Sequence, residues 1–157
     1  MTAVYSDIRP SPLAGRWYPA SPDALTAMID RFLAAAQPPS PPGRIIGLLA
    51  PHAGLMYSGP VAAYAFALVR GLKPDLVAVI CPSHHPYPAP LLTTAHDAYK
   101  TPLGVVPVDK QAIAALSRHL SLLPVRNDPE HALEIELPFM QRVLPGGFSL
   151  LPVMIVD

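Results

Sequence analysis

Apolar positions along this chain follow two rhythms, a helical spacing near the start and short unbroken runs further on. In the first, Leu25, Met28, Ile29, Phe32 and Leu33 fall on one helical face. Ser21 supplies an N-cap, Pro22 suits the first helical position, and Asp23 suits the positive end of the helix dipole. "RIIGLLA" (Arg44 to Ala50) and "DLVAVIC" (Asp75 to Cys81) are continuous apolar runs, the pattern of strands covered on both faces. "PVAAYAFALVR" (Pro60 to Arg70) reads as an alanine-rich helix with Ser58 or Gly59 ahead of it. Leu91 to Ala95 and Gly104 to Val108 read as shorter strands around a turn at Thr101-Pro102. Asp109 caps a helix through His119, with Ile113, Leu116 and Leu120 as its stripe. Glu130 to Leu144 reads as a last helix bent at Pro138, because the proline ring removes a hydrogen bond and clashes with the turn before it. Phe148 to Val156 closes as a strand.

Strands alternating with helices predict a three-layer α/β/α sandwich around a mainly parallel sheet, with residues 1–157 as a single domain. Sites in such sheets form in the crevice beyond the carboxyl ends of the strands. His52 and His84 each follow the end of an apolar run, and if the two strands are neighbours both imidazoles project into one crevice. Two imidazoles there suit iron, zinc or copper, and a facial iron site adds a carboxylate and keeps positions open. The alternative is one histidine as a structural hydrogen-bonder and the other facing solvent. His85 either points away from His84 or orients it.

"PEHALEIELPF" sets Glu130, His131 and Glu134 within one helical turn, where a carboxylate raises an imidazole pKa and fixes its tautomer. Glu130 and Glu134, or His131 and Glu134, can act together on that face, and His131 with Glu134 is the candidate catalytic pair. The competing reading is an acidic helix N-terminus with a solvated face. Tyr57, Ser83 and His85 are the candidate pocket-lining residues. Ser83 lacks the glycine-flanked elbow of a serine nucleophile. Cys81 reads as a small buried hydrophobe, and His96 and His119 as surface residues.

Composition narrows the field. Lys plus Arg and Asp plus Glu number 11 each, which gives no electrostatic footprint for nucleic acid or an anionic membrane. The uncharged stretch Leu76 to Leu92 is broken by prolines and histidines and does not make a membrane span. One cysteine and no signal-peptide pattern lead to the expectation of a cytoplasmic, reduced environment. The 22 prolines punctuate linkers, notably "QPPSPPG" (Gln37 to Gly43), and the ends of apolar runs.

Five ordered motifs carry a resemblance. "AGRWYP" (Ala14 to Pro19), "APHAGLMYSG" (Ala50 to Gly59), "PSHH" (Pro82 to His85), "YKTPLGVVPVD" (Tyr99 to Asp109) and "EHALEIELPFMQ" (Glu130 to Gln141) together resemble the Memo-like family. Its bacterial and archaeal members are called AmmeMemoRadiSam system protein B. The resemblance implies a fold similar to the class III, non-haem iron extradiol dioxygenases, and a metal-binding crevice. His52 and His84 are the implied ligands, and His131 lines the same crevice. The implied cofactor is non-haem iron, with copper or zinc as alternatives.

A redox or dioxygenase-type role follows from that likeness. The alternatives are a non-catalytic module that binds a peptide or protein, and an inactive fragment. The ligand is an unknown small molecule or peptide, and family context points to AMMECR1-domain and radical-SAM partners. The match corresponds to the N-terminal half of the family's pattern, whose second half carries a further His motif and the Cys that completes the metal set. The expectation is therefore a truncated chain whose site is completed by a homo-oligomer or a complementing second half.

Overall fold

The computed structural model describes residues 5–156. The ordered elements are β1 (Ile8–Arg9), α1 (Pro22–Ala35), α2 (Leu55–Ala67), β2 (Leu76–Ser83), β3 (Leu91–Thr94), β4 (Ala98–Thr101), β5 (Gly104–Pro107), α3 (Lys110–Leu116), β6 (Leu123–Val125), a 3-10 turn (Glu134–Glu136), α4 (Leu137–Val143) and β7 (Ser149–Val156). They form the expected α/β sandwich class. The main sheet has the order β2-β7-β3-β6, and a smaller one has the order β1-β4-β5. In the main sheet β2 pairs with β7 and β3 with β6 in parallel, while β3 and β7 run antiparallel. The main sheet is thus mainly parallel with one reversed pairing.

α1 begins where its cap chemistry places it: the Ser21 side chain accepts the Ala24 N–H, and Leu25, Ile29 and Leu33 are buried. That face packs on α2 and α4, where Phe66 stacks on Phe139 at 5.0 Å. Gly59 permits the close approach of α1 and α2, since a β-carbon there would lie 2.4 Å from the Phe32 ring. Asp109 caps α3 through the Ala112 N–H, and its own N–H donates to the Leu150 carbonyl, which ties the helix to β7.

Four expectations need correction. First, Arg44 to Ala50 forms no strand, and Ile46 and Leu49 are more than nine-tenths exposed. An apolar run becomes a strand only where a ladder partner exists, and this segment has none among the described residues. Second, β2 is an edge strand and not a doubly covered one: Leu76, Ala78 and Ile80 alternate outward on an open face.

Third, the second helix starts at Leu55, ahead of Pro60. Gly54 is its N-cap, and the Leu55 N–H donates to the Trp17 carbonyl. Fourth, Glu130 to Leu144 is not one bent helix. Glu130 and His131 are irregular, Ala132 and Leu133 form a turn, a 3-10 turn follows, and α4 begins at Leu137 with Pro138 in its first turn, where a missing N–H costs nothing. No described helix is long and apolar enough to cross a membrane.

Candidate metal centre

Three local structures bring histidines together. The Gly54 cap of α2 fixes the preceding loop, and the Ser58 hydroxyl donates to the Ala53 carbonyl at 2.7 Å, which places His52 at the helix entrance. β2 ends at Ser83, so His84 follows the carboxyl end of a strand as expected. The irregular stretch ahead of the 3-10 segment supplies His131. Ring centroids are 5.3 Å apart for His52 and His84, 4.5 Å for His84 and His131, and 5.8 Å for His52 and His131. One ring nitrogen from each histidine lies within 4.8 Å of the others, close enough for all three to hold one ion.

His52 and His131 of the cluster border a cleft of about 630 Å³, lined also by Arg16, Trp17, Met56 and Tyr57, among others. Trp17 covers His131, with ring centroids 4.4 Å apart. Tyr57 is therefore a lining residue. Ser83, His84 and His85 are not among the residues lining this cleft, and the Ser83 hydroxyl donates to the His85 carbonyl at 2.9 Å. Arg16 and Trp17 were not singled out from the sequence. The only signal for them was their place in "AGRWYP", whose loop reaches α2 through the Trp17 carbonyl.

The two glutamates separate. Glu134 is fully buried, and its carboxylate accepts from Ser11 and Tyr18 hydroxyls at 2.6 and 2.7 Å, from the Leu13 N–H at 3.3 Å and from Arg9 at 2.5 Å. It makes no described hydrogen bond to an imidazole, so the expected pairing of His131 with Glu134 is not what the fold assembles. Instead Glu130, 2% exposed, meets the histidines. It accepts the backbone N–H groups of His84, His131 and Ala132 at 2.5, 2.7 and 2.8 Å, and its Oε1 lies 3.0 Å from His84 Nδ1. Both carboxylates are buried, which removes the reading of a solvated acidic face.

Burial opposes charge on Glu130, yet the N–H groups of His84, Ala132 and His131 together hold its pKa down at about 2. Burial also lowers the His131 pKa, against the pull of Glu130 and with the push of the neighbouring imidazoles, so the ring favours its neutral, ligating form. Cys81 is buried and its thiol is pushed up to about 12 by burial, so it is an unreactive core residue. His96, expected at the surface, is 3% exposed. Its Nδ1 sits 2.7 Å from Asp7, and its Nε2 accepts the Asn127 N–H.

Comparison with known proteins places these features in context. A family profile described as "Memo-like protein" matches residues 9–157. A MEMO1 family protein of Thermotoga neapolitana is 37% identical over 163 residues, covering 96% of this chain and 58% of that protein. One from Nitrosopumilus maritimus is 31% identical, covering 96% of this chain and 57% of that protein. One from Methanopyrus kandleri is 33% identical, covering 90% of this chain and 54% of that protein. The chain thus spans a little over half the length of these relatives.

Proposed function

Since the chain belongs to the Memo-like family, we propose that it is a metal-binding protein holding a first-row transition ion, foremost non-haem iron, through His52, His84 and His131 for dioxygenase-type redox chemistry. The observation that carries this reading is the convergence of three ring nitrogens within 4.8 Å. Imidazole suits iron, copper and zinc alike, and three protein donors with positions left over is the count of a reactive site, whereas a structural site closes with four. Iron held there supplies open coordination positions for an organic ligand and dioxygen.

The remaining work falls to this chain's own residues. Glu130 supplies a buried negative charge beside the donors, which favours a cation. Trp17 shields His131 from water on one side. Arg16 and Tyr57 in the cleft wall offer a cation and a phenol to an anionic or aromatic ligand. Copper and zinc remain the alternative ions. A second reading, a non-catalytic module that takes a peptide or protein, draws support from the apolar Met56 and Tyr57 at the cleft mouth, 71% and 79% exposed.

Anaerobic titration with Fe(II) by calorimetry tests the proposal. Saturable binding that disappears in a His52→Ala/His84→Ala double variant is the expected result. Binding that survives both substitutions sinks it. Tight binding without oxygen uptake on any catechol offered favours the module.

A further inference from the structure

We propose that Glu130 is the positioning residue of the histidine cluster: its carboxylate fixes His84 as the Nδ1–H tautomer and leaves Nε2 as the nitrogen that ligates. The inference rests on the metal reading above. A neutral imidazole carries one N–H, and only its bare nitrogen can bind a metal, whereas a carboxylate can only accept. With Oε1 of Glu130 3.0 Å from His84 Nδ1, the shared proton belongs to the imidazole. The other oxygen takes the His84 backbone N–H at 2.5 Å, so one carboxylate grips both the ring and the main chain of the same residue.

The grip extends to a second donor. Oε1 also accepts the His131 N–H and lies 3.2 Å from His131 Nδ1. The His84 and His131 rings lie only 24° from parallel, with a single carboxylate oxygen near both Nδ1 atoms. This matters most for His84, whose side chain is 43% exposed. Unanchored, a ring that open samples several rotamers and both tautomers, and each costs ordering entropy when an ion binds.

A merely structural carboxylate is served differently here. Asp128 and Glu134 take the Arg9 guanidinium, while Arg9 reaches only the backbone carbonyl of Glu130. Every described donor to the Glu130 side chain belongs to His84, His131 or Ala132.

The test begins on the metal-free chain. Long-range ¹⁵N–¹H correlation spectra, assigned by comparison with His84→Asn, are expected to show His84 protonated at Nδ1 and bare at Nε2. Glu130→Gln replaces one acceptor oxygen by an NH₂ group that faces N–H donors. It is expected to lose that tautomer preference, to weaken Co(II) binding by about 10–100-fold, and to alter the visible Co(II) spectrum. Glu130→Asp keeps the charge and is expected to recover part of the affinity.

A wild-type His84 protonated at Nε2 overturns the proposal, and so does a folded Glu130→Gln protein with unchanged tautomer and affinity. If Glu130→Gln does not fold, the wild-type tautomer alone decides. Absence of Co(II) binding to the wild type overturns the metal reading instead, and the tautomer measurement still decides this one.

Discussion

Arg9 and Glu136 show two ways for this chain to bury charge. Arg9 is 2% exposed and gives its guanidinium to Asp128 and Glu134, to the carbonyls of Asp128 and Glu130, and to the face of Tyr99 at 5.1 Å. Its charge is matched on every side, so that network holds the loops on either side of His131 against β1. Glu136 has no such company: both carboxylate oxygens are buried without a described partner, and burial pushes its pKa up to about 8. Between about 4.5 and about 8 the folded protein keeps a proton that the unfolded chain has released, so stability falls as pH rises through that window. Glu136→Gln stays neutral throughout. Its unfolding free energy in urea is expected to exceed that of the wild type by about 1–3 kcal/mol at about pH 9 and to converge with it towards pH 4.5. Parallel pH profiles for the two proteins would show that Glu136 ionises normally.

At the scale of elements, the site depends on how tightly α2 is held, because its N-terminal turn carries the loop bearing His52. Gly59 lets the Phe32 ring of α1 lie against the helix, at a spot where a β-carbon would sit 2.4 Å from that ring. Gly59→Ala is expected to push the two helices apart and cost about 1–3 kcal/mol by overpacking, despite alanine's better helix propensity. A melt unchanged or raised in temperature would mean the Phe32 ring swings aside freely. The same element explains a misreading of the sequence. Proline at a first helical position is a sound rule, but Pro60 sits five residues into α2, and the start was set by Gly54 and by the Leu55 N–H bonding to Trp17. Local pattern cannot contain a cap partner that arrives from a distant loop.

For the molecule as a whole, the distribution of exposed apolar surface matters most. Tyr57, Val61 and Tyr64 share an outer face of α2 by helical spacing, and Leu76 and Ile80 share the open face of β2. Ile46 and Leu49 are bare, and the outer edge of β2 has no described strand partner. Such edges and patches drive association. Sedimentation velocity is expected to show a weight-average size that grows with concentration, and Val61→Lys/Ile80→Lys is expected to abolish that growth. A concentration-independent monomer would show that these surfaces are inert in solution.

The sequence by itself determined the elements whose signals are local, among them the strand end ahead of His84, whereas the strand expected ahead of His52 does not form. Ser21 and Pro22 fixed the start of α1, Asp109 fixed that of α3, and the run before "PSHH" fixed the strand whose end presents His84. His131 was singled out beside a glutamate, but the partner was misassigned, because spacing along a regular helix was applied to a segment that folds as turns. Only the tertiary structure could turn Glu134 towards Arg9, 125 residues away, and leave Glu130 to gather His84 and His131. Hydrogen-bonding need is written into each residue. Which distant residue satisfies it is decided by packing, which no local period encodes.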